Sequence, residues 1–91
     1  MRAKKVDENQ AELVGQLRQI GCSVFPTHTI GKGFPDIVVG YRGVNYLFEI
    51  KDGKKSASRK KLTPDEVDFH RTWAGRVWII ENLDQALKIL L

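Results

Sequence analysis

Apolar residues recur at helical spacing over residues 7–20, where Leu13, Val14, Leu17 and Ile20 form one stripe and Gly21 supplies a stop. Residues 22–28 read as a strand with Val24 in the core. Gly31-Lys32-Gly33 marks a loop, and Pro35 biases Phe34 towards an extended conformation. Two strands rich in Ile, Val, Tyr, Leu and Phe follow at 36–41 and 45–52, joined by a turn around Arg42-Gly43. After a Ser/Lys-rich loop at 53–61, Thr63-Pro64-Asp65-Glu66 combines an N-cap threonine, proline at the first helical position and glutamate three residues after the cap. The helix it opens should end near Gly75. Residues 76–81 predict a fourth strand, and Asn82 to Gln85 offers a second capping pattern before a short terminal helix reaching Leu91. Trp73 and Trp78 sit in apolar surroundings and are assigned to the core. The order helix, three strands, helix, strand, helix predicts an α/β fold with a mixed four-stranded sheet flanked by helices.

Composition narrows the class without naming a task. Ninety-one residues, 42% hydrophobic and 29% charged, suit a single soluble globular domain over 1–91. No apolar run reaches the roughly 20 residues that span a bilayer, and no signal-peptide pattern opens the chain, so a cytoplasmic protein without membrane association is expected. The single cysteine, Cys22, cannot form an internal disulfide, which fits a reducing compartment, and its apolar neighbours predict a buried small hydrophobe. The net charge of +4 is unevenly spread. Lys51, Lys54, Lys55, Arg59, Lys60 and Lys61 fall within eleven positions against one acid, Asp52. That run supports two readings, a solvated loop and a phosphate-binding surface.

The central hairpin carries the candidate chemistry. Side chains alternate along a strand, so Glu49 and Lys51 share a face while Ile50 points to the other. A two-residue turn at Arg42-Gly43 would set Asp36 opposite Glu49, and a four-residue turn would set it opposite Lys51. Either way Asp36, Glu49 and Lys51 share one face, and an odd turn would break the cluster. Opposed residues have β-carbons about 4.5–5.5 Å apart, near enough for two carboxylates to share a divalent cation. Their repulsion requires an offset, which Lys51 and a hard ion such as Mg²⁺ can supply. A plain surface hairpin explains the charges but not their place on otherwise apolar strands.

Gly33-Phe34-Pro35-Asp36 followed by Glu49-Ile50-Lys51 resembles the PD-(D/E)xK nuclease superfamily. The longer stretches GKGFPDIVVGYRG and YLFEIKDG after an N-terminal helix look like its VRR-NUC branch of stand-alone phage and bacterial proteins. The resemblance implies a restriction-endonuclease-like core and a Mg²⁺- or Mn²⁺-dependent endodeoxyribonuclease. Asp36, Glu49 and the backbone carbonyl of Ile50 would hold the metal, which would polarise the scissile phosphate and activate a water. Lys51 would position that water and stabilise the developing charge. The family usually adds an acid from the first helix, and this chain departs from the clearest version. Gln10 shares the stripe of Leu13 and Leu17 and is preferred, with a helix-capping role as its rival; Glu8 serves if the helix starts earlier, and Glu12 lies nearer the opposite face. Glu66 stands where family members often carry glutamine, although a capping box accounts for it fully. His28 and His70 read as surface or satisfied core residues. Lys32, in the glycine loop, could meet a phosphate beside the cleavage point, with Lys54, Lys55, Lys60 and Lys61 contacting the DNA backbone. The resemblance further implies a homodimer acting on branched DNA, in the manner of a Holliday-junction resolvase, in the host cytoplasm if phage-encoded. Ile89 and Leu91 are candidate interface residues. The rival reading is a catalytically inactive nucleic-acid-binding module of the same fold, and behind it an adaptor that uses its basic loop on an acidic partner.

Overall fold

A computed structural model describes residues 7–91. Its elements are α1 (Gln10–Gln19), β1 (Ser23–Pro26), β2 (Ile37–Tyr41), β3 (Val44–Ile50), a 3-10 turn (Ala57–Lys60), α2 (Pro64–Thr72), β4 (Trp78–Ile80) and α3 (Leu83–Leu90). The expected order of helices and strands is present, as an α/β fold with a four-stranded mixed sheet. Strands run in the order β1-β2-β3-β4, antiparallel except for the parallel pair β3–β4.

Local chemistry explains most boundaries. α1 ends where the Cys22 amide donates to the Leu17 carbonyl across Gly21, a Schellman closure. α2 carries the full capping box: the Glu66 amide donates to the Thr63 hydroxyl, and the Thr63 amide donates to the Glu66 carboxylate. Asn82 caps α3 by accepting from the Gln85 amide. β3 ends at Ile50 rather than at 52, because Asp52 turns the chain, its carboxylate accepting from the Lys54 amide.

One face of the sheet holds the core. Val39 and Ile37 of β2, Phe48 and Ile50 of β3 and Ile80 of β4 pack with Leu13, Val14 and Leu17 of α1 and Ala86 and Leu90 of α3. Cys22 is buried there too, and burial pushes its thiol pKa up. Trp78 and Ile89 pack against this cluster. The flanking by helices is one-sided. On the opposite face Phe25 is 73% exposed and Ile79 46%, while α2 sits at one end of the sheet, its Phe69 against Phe34. Trp73 corrects the core assignment: it is 44% exposed. It closes α2 as its C-cap, one residue beyond the last helical turn, where the apolar context of the sequence no longer faces the sheet. No helix among the described residues is long and apolar enough to cross a membrane.

Candidate functional site

The turn between β2 and β3 decides the register. Arg42 (φ 51°) and Gly43 (φ 80°) both adopt left-handed backbone, the signature of a two-residue type I′ hairpin. Tyr41 therefore pairs with Val44 and Ile37 with Phe48, where the regular ladder ends; Asp36 lies at a bend just before β2, its amide turned to the Phe48 carbonyl beside the end of β3. Glu49, alternating with the core residues Phe48 and Ile50, lies on the sheet face opposite the core, yet it and Asp36 are only 1% and 2% exposed.

Asp36 is fixed from three sides. Its amide donates to the Phe48 carbonyl at 3.0 Å and its carbonyl accepts from the Thr27 amide at 2.8 Å. Its Oδ2 accepts from the Ile50 amide at 2.7 Å. In extended backbone the N–H and C=O of one residue point the same way, so the Ile50 carbonyl is directed to the Asp36 side of β3. The Lys51 amide, by alternation, donates to Ile80 of β4. Thr27 also closes the loop, its hydroxyl donating to the Pro35 carbonyl at 2.8 Å.

Lys51 is held between two carboxylates, 3.1 Å from Glu66 and 3.7 Å from Glu49. Glu66 caps α2 and also holds the lysine, since the oxygen that accepts from the Thr63 amide also accepts from the Lys51 ammonium. What brings α2 this close is Gly33. It takes φ 78°, and a β-carbon on it would collide with the backbone carbonyl of Asp65. Beside it Lys32, exposed, also has positive φ (55°), an uncommon state for a lysine.

Of the first-helix residues named from sequence, Gln10 is buried and Glu8 exposed, and Asp7, not considered there as a site residue, also comes under the charges of the site. Gln10 is 4% exposed, with its amide nitrogen 3.5 Å from His28 Nδ1 and its Oε1 lacking a hydrogen-bond partner among the described residues. Glu8 points outward towards Lys55, 3.9 Å away. Asp7 feels the site directly. Its pKa is raised by burial, lowered by Lys51, and raised further by Asp36, Asp52 and Glu66. Asn9, also overlooked in the sequence, explains the placement. Its amide donates to the Glu81 carbonyl at 2.9 Å and the Lys51 carbonyl at 3.3 Å, tying the start of α1 to the ends of β4 and β3. An asparagine just before a helix signals capping, so nothing local marks this long-range use.

The basic loop splits into two kinds of lysine. Lys60 bonds Glu81 at 3.1 Å and anchors the loop, and Lys55 lies near Glu8, whereas Lys54 and Lys61 are exposed. Among the described residues no group of three or more His, Cys, Asp or Glu is gathered as a metal cage. A cation at Asp36 and Glu49 would complete its shell with backbone oxygen and water, which suits Mg²⁺, an ion that commonly uses one or two carboxylates and keeps several waters.

The fold and site together define an α/β domain with two buried carboxylates and an adjoining lysine at the shared end of β2 and β3. No family model, no curated protein and no solved structure matches the chain.

Proposed function

We propose that this chain is a metal-dependent DNA endonuclease with a restriction-endonuclease-like core, using Asp36, Glu49 and Lys51. The observation that carries the reading is the presence of two almost fully buried carboxylates at the shared end of β2 and β3, Asp36 bonded to the Ile50 amide and Glu49 beside the Lys51 ammonium. Such a pair is costly to a fold unless cations offset it. Lys51 and the Ile50 amide supply part of the offset, and a hard divalent ion fits the rest. The oxygen-rich donor set of Asp36, Glu49 and the Ile50 carbonyl suits Mg²⁺ or Mn²⁺. When bound, that ion supplies Lewis-acid polarisation of a phosphate and a water acidic enough to attack near neutral pH.

The chain's own residues do the remainder. Glu66 and Glu49 hold the Lys51 ammonium in one place, so that it can stabilise charge on a phosphoryl group without reorganising. Asp7 adds a further negative charge at the rim, and Lys32, Lys54 and Lys61 present positive charge to a phosphate backbone. The resemblance of Gly33-Phe34-Pro35-Asp36 and Glu49-Ile50-Lys51 to VRR-NUC nucleases supports DNA as substrate, branched or four-way-junction DNA in particular, and a homodimer as the working unit. The test is cleavage of labelled duplex, flap and four-way-junction DNA with Mg²⁺, Mn²⁺ or EDTA, by wild type and Asp36→Asn. Metal-dependent cleavage lost in the variant is expected. Cleavage that survives either EDTA or the substitution would refute the assignment.

A further inference from the structure

Three rings run in series away from the candidate site. Phe34, two residues before Asp36, meets Phe69 edge-on at 5.4 Å, and Phe69 stacks on Trp73 at 4.9 Å with the ring planes only 17° apart. Glu66, Phe69 and Trp73 occupy positions i, i+3 and i+7 along α2 and its cap, one stripe of the helix. The stripe starts at the carboxylate bonded to Lys51 and ends about 10 Å further along the axis, at 1.5 Å per residue.

The end of this series is open. Trp73 is 44% exposed. Gly75 leaves room for it, since a β-carbon there would press within 2.9 Å of the indole nitrogen. The surroundings favour an anionic partner. From Phe69 to Ile80 the chain carries Arg71 and Arg76 and no acid, and exposed Lys32 sits in the glycine loop seated on the first turn of α2. Arg71 is paired with Asp68 of the preceding turn, and the exposed Arg76 guanidinium rests over the Trp78 ring at 4.8 Å, a contact that does not neutralise it, so Arg76 and Lys32 supply most of the available charge.

We infer that Trp73 is a stacking platform for an unpaired nucleobase of the strand whose phosphate lies at Lys51. An indole backed by a parallel phenyl ring is rigid and offers a flat apolar surface, and base–aromatic stacking is indifferent to sequence because every base has a π-face. A base inside a duplex has both faces occupied, so the platform selects single-stranded or branched DNA near the cut. The inference rests on the nuclease reading and refines its substrate.

Tryptophan emission tests it directly. In a protein carrying Asp36→Asn to block cleavage and Trp78→Phe to leave Trp73 as the sole indole, a single-stranded oligothymidylate should quench the emission, and a blunt duplex should not. Trp73→Ala should weaken binding of that oligonucleotide roughly 5- to 150-fold, the range a stacked base contributes, while Trp73→Phe should restore most of it. In the otherwise native enzyme, Trp73→Ala should slow cleavage of flap DNA more than of duplex, a comparison that does not depend on the Trp78 substitution being tolerated. Unchanged oligonucleotide affinity in Trp73→Ala, alongside intact metal-dependent cleavage, would overturn the platform and leave the nuclease standing. A fall in molecular mass on Trp73→Ala would assign the indole to a protein contact and overturn it equally. Absence of cleavage on every DNA by wild type would instead remove the nuclease reading beneath it.

Discussion

Asp36 accepts a hydrogen bond from the amide of Ile50, the residue next to buried Glu49, and the bond and the neighbouring charge pull its substitutions in opposite directions. Asp36→Asn removes the repulsion and keeps an oxygen acceptor. It should melt at or above the wild-type temperature, while cleavage falls by roughly a hundredfold or more. Asp36→Ala leaves a buried amide unsatisfied, a loss of about 1–3 kcal/mol that relief of repulsion only partly offsets. Charge alone predicts a gain for the alanine variant; the Ile50 bond reverses that sign. Urea denaturation of both variants checks the ordering. Asp7 gives a pH signature of its own. Burial first, then Asp36, Asp52 and Glu66, hold its carboxyl protonated to a higher pH than in the unfolded chain, against the opposing pull of Lys51. Its contribution to stability is complete below the unfolded value of about 3.9 and is lost as pH rises through the raised folded value. Metal-free Asp7→Asn should therefore gain on wild type as pH climbs from about 4 to 7. A stability difference that stays flat across that interval would show that Asp7 is not under the site's charges.

At the scale of elements, α2 joins stability to the site through one carboxylate. Glu66→Ala removes an acceptor from both the Thr63 amide and the Lys51 ammonium, and should cost about 1–2 kcal/mol through the lost cap. Glu66→Gln keeps an oxygen for either donor. It should preserve most of the stability and alter the pH dependence of cleavage, which separates a positioning role from a purely structural one. The basic loop invites a salt experiment. Lys54 and Lys61 are the informative pair, because removing Lys60 would also release the loop from Glu81. Replacing both with alanine should flatten the plot of log affinity against log salt by about 0.9 unit per lost duplex phosphate contact. A slope equal to wild type would leave the loop as a solvated surface.

For the whole molecule, the one-sided covering of the sheet matters most. Phe25, Val38 and Leu47 form a cross-strand row on the face of Glu49, Phe25 largely exposed and the other two half-buried. Exposed apolar rows of this kind commonly serve association. They suit the proposed homodimer better than the terminal segment does, since Ile89 packs against the core and Leu91 alone is left exposed. Light scattering should give about twice the 10.4 kDa chain mass, and Phe25→Glu should return it to one chain without unfolding. A wild-type mass near 10.4 kDa at micromolar protein, with and without DNA, would refute the dimer.

What the sequence determined was whatever depends on neighbours a few positions apart. Thr63-Pro64-Asp65-Glu66 started a helix, Gly21 stopped one, and the even spacing about Arg42-Gly43 put Asp36, Glu49 and Lys51 on one face, because strand alternation needs only parity. The type I′ turn then chose the two-residue register, which brings Asp36 to Phe48 and Ile50, the residues either side of Glu49. Tertiary structure decided everything that rests on partners distant along the chain. Asn9 bonds residues 42 and 72 positions away, and this sets the direction of the segment before α1, which brings Asp7 under the charges of Lys51, Asp36, Asp52 and Glu66. Glu66 reads as a cap from its own four residues, and only the approach of α2 permitted by Gly33 brings Lys51 to the same oxygen. Trp73 reads as core because its neighbours are apolar. It keeps the stripe of Glu66 and Phe69, but at the C-cap end of α2, away from the sheet, Phe69 stacks on it and the indole stays partly exposed.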